Sequence, residues 1–143
     1  MNYQDWEKPV PEAVTGDTLW KMKVYRLALF AAKIGANDIA KLNKDRSMIS
    51  RSDQLRRSLG SVSANIAEGY SRGSGKDRVR FYEYALGSAR ESRDWYYQAE
   101  DTFGQTVTHH RLDLQAQIIR LLLSMIPDQR HKTFKEESVP YDS

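Results

Sequence analysis

Apolar residues recur along this chain at alternating spacings of four and three, the repeat that lays one stripe along an α-helix. Trp20, Val24, Leu27, Ala31 and Ile34 mark the first stripe, and Leu55, Leu59, Val62 and Ile66 the second. Phe81, Tyr82, Ala85, Ala89, Ser92, Tyr96, Ala99 and Phe103 mark a third, and Leu112, Ile118, Ile119, Leu122 and Met125 a fourth. The pattern predicts helices over about residues 17–44, 52–68, 75–103 and 108–126. Thr15 or Asp17, Ser74 and Thr108 are placed to cap three of them, because a short side-chain oxygen accepts from the free amides of a first turn. Gly69 is placed as the left-handed residue that closes the second helix. Gly104 stops the third, and Pro127 lies just past the fourth. No alternating β-branched run and no Asn-Gly turn is present. The expected fold class is all-α, an antiparallel up-down-up-down four-helix bundle over residues 17–126 with an N-terminal tail, 1–16, and a C-terminal tail, 127–143.

The faces opposite the stripes are unusual. The second helix carries Gly60, Ala64 and Ala67 there, with Ser61 and Ser63 at the margins, where a bundle helix ordinarily shows charge to water. Beside the third stripe lie Tyr84, Gly87, Ser88, Glu91 and Trp95, with Tyr97 outside the seam. A glycine inside a helix costs about 1 kcal/mol relative to alanine, a cost that close approach of another backbone can offset. Small residues next to aromatic ones predict a subunit interface formed by Gly60, Ala64, Ala67, Tyr84, Gly87, Ser88, Glu91 and Trp95. Antiparallel pairing around the Ser71–Gly75 turn also brings Arg57 near Glu91, which predicts an ion pair within or between subunits.

A length of 143 residues suits one domain with a core large enough to need no staple. Cys is absent, which excludes disulfides, zinc thiolate sites and cysteine nucleophiles and fits a reducing compartment. No apolar run is long enough to span a membrane, and the first residues lack the basic-then-apolar order of a signal peptide, so a cytoplasmic protein is expected. The net charge of +3 is unevenly spread: residues 1–17 carry one basic against four acidic side chains, residues 127–143 three against four, and the body between is basic. A basic body permits an anionic partner such as RNA.

Known catalytic and metal patterns are missing. A di-iron bundle needs Glu-x-x-His pairs, and none of His109, His110 and His131 follows a glutamate by three. Gly69, Gly73 and Gly75 near Lys76 do not have the spacing of a phosphate-binding loop, and no strand precedes them. No enzyme activity, cofactor, metal or small-molecule substrate is therefore expected. The cations Arg72, Lys76, Arg78 and Arg80 gather at the turn and at the start of the third helix, whose free amides add positive potential. With Arg56 and Arg57 they are the candidate nucleic-acid contacts. Asn65, Glu68 and Gly69 read as structural residues of the turn, with Glu68 placed to pair with Arg72 or Lys76.

Ser61-Val-Ser-Ala-Asn65-Ile-Ala-Glu68-Gly69, followed by Arg72, Ser74, Lys76, Phe81 and Ala85-Leu-Gly-Ser88-Ala-Arg-Glu91, closely resembles the signature of the four-helix-bundle family of 23S rRNA intervening-sequence proteins. Arg56-Arg57-Ser58 resembles the approach to that motif, and Ser63 stands where the motif carries proline. The resemblance covers roughly Trp20 to Ile126. It implies an antiparallel bundle assembling as a homopentamer. Relatives include the accessory variability determinants of diversity-generating retroelements, which bind a reverse transcriptase and nucleic acid. The implied function is a non-enzymatic oligomer that binds RNA or a ribonucleoprotein, the alternative being a protein-binding scaffold such as an accessory subunit of a reverse transcriptase.

Overall fold

The computed structural model describes residues 1–130, and every regular element among them is helical. Two short helices, α1 (Tyr3–Glu7) and α2 (Glu12–Thr15), precede the long α3 (Lys23–Leu42) and α4 (Ile49–Tyr70). Then come α5 (Gly75–Gln98), the single turn α6 (Glu100–Phe103) and α7 (Gln105–Gln129). Helix α3 packs on α4, α4 on α5, α5 on α7, and α7 returns to α3, so four long helices close a ring around one core. Short connections make sequential neighbours antiparallel. The core is built from the expected stripes: Val24, Leu27, Ala31 and Ile34 meet Leu55, Leu59, Val62 and Ile66, with Tyr82, Tyr96, Ile118 and Leu122 fully buried between them.

The element ends differ from the sequence reading in ways that packing explains. Residues 1–16 are not a loose tail. Helix α1 lays Trp6 against Phe30 and Trp20, leaving Trp6 8% exposed, and Tyr3 meets the edge of Phe30 at 5.6 Å. Arg26 fastens this layer by donating to the Tyr3 hydroxyl at 3.1 Å. Asp17 does cap a helical turn, accepting from the Leu19 amide at 2.9 Å, but that turn is a separate 3-10 segment, Thr18–Lys21. Extended backbone at Met22 divides it from α3.

Helix α4 begins earlier than expected, after a 3-10 turn capped by Asp45, and runs straight through Ser63. It also runs through Gly69, whose backbone is not left-handed; among the described residues only Gly104 has a positive φ, +81°. Gly69 is small for a different reason. A Cβ there would lie 2.7 Å from the Tyr82 ring, so its absence lets α5 close onto the end of α4. Ser74 caps α5 as expected, accepting from the Asp77 amide at 3.3 Å.

The third helix divides at Ala99, leaving α6 as its own turn before Gly104. Helix α7 starts at Gln105, so Thr108 is not a cap: it is fully buried, and its hydroxyl has no partner. Pro127 lies inside α7, which continues to Gln129; lacking an N–H, it cannot bond the carbonyl of Leu123, which weakens the last turn of the helix. Residues 127–130 therefore belong to the bundle, and the rest of the expected C-terminal tail lies outside the described residues.

Candidate nucleic-acid interface

The Ser71–Gly75 turn gathers several of the sequence-selected cations and assigns them different work. Arg72 pairs with Glu68 at 3.0 Å, as the spacing suggested, and its guanidinium lies 4.6 Å from the centre of the Phe81 ring. The Arg80 guanidinium lies 4.9 Å from the same ring, and Tyr84 meets Phe81 edge-on at 5.7 Å. Lys76 is exposed on the first turn of α5. These groups make a basic end backed by aromatic carbon.

Arg78 is turned inward. It donates to the carbonyls of Arg72 at 3.0 Å and Tyr70 at 2.8 Å, and it lies 5.1 Å from the Tyr70 ring. It is the clasp of the turn, and the sequence reading of it as a phosphate contact misses this. The role assigned to Asn65 is thereby corrected too. Its amide reaches one turn back along α4, donating to the Ser61 carbonyl and hydroxyl at 2.8 Å each, and does not touch the turn.

Arg56 and Arg57 stand apart from this end. Helix α4 runs thirteen residues beyond Arg57 before it ends at Tyr70, a rise of about 20 Å, and Arg72 lies past that end. Both arginines bond the Asp53 carboxylate, and that hydrogen bonding from Arg56, with the charge of Arg57, holds the carboxyl below its usual range. The expected Arg57–Glu91 pair is not formed within the chain. Glu91 instead accepts from the Trp95 indole at 3.0 Å.

The small residues sort into two groups. Ser58, Ser61, Ser88 and Ser92 line the α4–α5 seam, with hydroxyl oxygens of Ser58 and Ser92 2.8 Å apart and those of Ser61 and Ser88 2.9 Å apart. Ser88 is thus an intrachain contact. Gly60, Ala64 and Gly87 are exposed, and a Cβ added at Gly60 or Gly87 would meet no atom within 4 Å. Tyr84 is exposed nearby, while Ala67 and Trp95 are half-buried.

One buried polar cluster escaped the sequence reading. The Tyr96 hydroxyl donates to Asp38 at 2.6 Å, and Arg111 grips both oxygens of that carboxylate at 2.7 and 3.1 Å. Burial and the neighbouring carboxylate push the Tyr96 phenol well above its ordinary pKa. The available signal was position: Asp38 continues the apolar register of Ala31, Ile34 and Leu42.

A ring of four long helices with a basic end and a bare outer strip defines a helical-bundle protein built on surfaces more than on an enclosed pocket. Residues 21–125 match the family model for the 23S rRNA-intervening sequence protein, and the chain belongs to that family. A crystal structure of a protein of unknown function from the S23 ribosomal protein family of Bacteroides thetaiotaomicron is similar, with a TM-score of 0.68 and 26% identity over 72% of this chain and 97% of that one. No curated protein matches the sequence. Among the described residues no helix is long and apolar enough to cross a membrane, and no group of three or more His, Asp or Glu side chains could hold a metal ion.

Proposed function

We propose that the chain is a non-enzymatic subunit that assembles with copies of itself and holds RNA, or an RNA–protein particle, at the basic end of the α4–α5 hairpin. The observation that carries this reading is the pair of guanidiniums, Arg72 and Arg80, held at 4.6 and 4.9 Å from the Phe81 ring beside exposed Lys76. Contact with the ring positions the charges, and the start of α5 adds the potential of its free amides. Contacts of this kind grip phosphates without reading sequence. The name of the family, which refers to an intervening sequence in ribosomal RNA, agrees with an RNA setting. The pentamer implied by the resemblance would repeat the basic end in every subunit and multiply weak contacts by avidity. The uncovered strip at Gly60, Ala64 and Gly87 is the surface suited to that assembly. The same strip favours a second reading, a scaffold for another protein such as a reverse transcriptase.

Titration of single-stranded RNA across a salt series tests the proposal. Binding should weaken steeply with salt, and Lys76→Gln with Arg80→Gln should flatten the log–log slope by about 1.4, the value for two single-strand phosphate contacts. No binding at low salt, or binding without a salt slope, overturns it.

A further inference from the structure

A second cationic surface lies on the other side of α5, in the groove it forms with α7. Leu86, Arg90, Arg93 and Tyr97 share one face of α5 at spacings of four, three and four. Arg90, Arg93, Asp94 and Tyr97 line an open cavity of about 330 Å³ with Leu112 of α7. Among the described residues neither arginine is paired with a carboxylate, and Tyr97 is 62% exposed with no ring stacked on it. The lone acid of the cavity, Asp94, accepts from Gln98 at 2.7 Å.

We infer that this groove takes one unpaired nucleotide of a single RNA strand, its base stacked on Tyr97 and its flanking phosphates on Arg90 and Arg93. Three observations carry the inference. The first is the lining: the cavity of about 330 Å³ brings Arg90, Arg93 and the Tyr97 ring to one open groove, with Leu112 of α7 on its far side. The second is the free aromatic face. At the basic end, Phe81 is already flanked by two guanidiniums and the edge of Tyr84, so no base can lie on it, whereas Tyr97 is open. The third is the combination of an open ring with unpaired arginines, the arrangement by which proteins track a single strand without reading its sequence. A neighbouring subunit would have to bring carboxylates for both arginines to cover the same groove. The inference adds a stacking site to the RNA reading and does not depend on the basic end.

The experiment is fluorescence anisotropy of the full chain with a short labelled oligouridylate and with an RNA duplex of equal length. The wild type should prefer the single strand. Tyr97→Ala should weaken that binding about five- to 150-fold, the range for loss of one base–aromatic stack, and Tyr97→Phe should keep it. Arg90→Gln with Arg93→Gln should weaken binding and flatten its salt dependence. Lys76→Gln with Arg80→Gln should leave the preference for single strands in place, which separates the groove from the basic end. Wild-type affinity in Tyr97→Ala, or equal affinity for duplex and single strand, overturns the inference. So does a drop in the mass of the assembly by light scattering in Tyr97→Ala, which would assign the groove to a neighbouring copy. Unchanged thermal unfolding of the exposed-site variants certifies that they are folded.

Discussion

Tyr96 and Asp38, 58 residues apart in sequence, share a buried hydrogen bond of 2.6 Å that ties α5 to α3, and Arg111 adds α7 to the same carboxylate. Three of the four long helices thus meet at one charge. Gly35, one turn before Asp38, serves a different contact: a Cβ there would run into a methyl carbon of Leu59, so its absence makes room for α4, whereas the Tyr96 hydroxyl at 3.4 Å would be an ordinary neighbour. Arg111→Met should cost about 3–5 kcal/mol, because it strands a buried carboxylate. Tyr96→Phe, which removes one hydrogen bond to that charge, should cost about 1.5–3 kcal/mol. Urea unfolding followed by circular dichroism measures both, and an Arg111→Met variant as stable as the wild type would show that Asp38 does not need its partner.

The N-terminal layer should be part of the cooperative unit. Trp6 is buried against Phe30 and Trp20, so Trp6→Ala should destabilise the whole bundle by about 3–5 kcal/mol. A truncation lacking residues 1–16 should melt earlier than the full chain. Identical melting temperatures would return the segment to the status of an appendage.

Glycines separate intrachain packing from the outer strip. Gly69→Ala forces a methyl to 2.7 Å from the Tyr82 ring and should cost about 1–3 kcal/mol. Gly60→Ala and Gly87→Ala meet open space within the chain, so helix propensity alone should stabilise a lone subunit by up to about 1 kcal/mol each. Leucine at the same two positions should dissociate the assembly if this strip is the subunit interface. Light scattering across a dilution series reads the mass, and unchanged mass in both leucine variants would remove the strip from the interface.

At the turn, stability and binding should come apart. Arg78→Gln loses donors to two backbone carbonyls and should destabilise by about 1–3 kcal/mol. Arg80→Gln should leave the melting temperature unchanged and weaken RNA binding. The reverse pattern would mean that the two arginines have been assigned each other's roles.

The buried tyrosines predict loss of stability at alkaline pH. Desolvation pushes the Tyr82 phenol up to about 12, so between pH 10 and 12 the unfolded chain releases a proton that the folded chain keeps. Its contribution is fully present below pH 10 and is lost as the pH rises through that window, amounting to about 2–3 kcal/mol at one pKa unit per 1.36 kcal/mol. Tyr96 shifts in the same direction. Ionisation of these two, followed by phenolate absorbance, should coincide with the loss of helical circular dichroism. Ionisation of Tyr82 and Tyr96 while the helical signal is intact would contradict this.

Periodicity along the chain was enough for the all-α class, the four long helices, the cap at Ser74 and the Glu68–Arg72 pair, because each depends on residues within a turn or two of one another. Tertiary contact decided the rest. Gly69 is small because of Tyr82, Ser88 turns inward because of Ser61, and Arg78 is drawn from solvent by the carbonyls of Tyr70, which ends α4, and Arg72 in the turn. Trp6 finds its place only once α3 presents Phe30, since a five-residue helix has no stripe long enough to announce which face is covered. Asp38 is the clearest case. Its position on an apolar face signals a buried charge, but the partners that make such burial tolerable come from α5 and α7, and only the closed ring of helices brings them to one point.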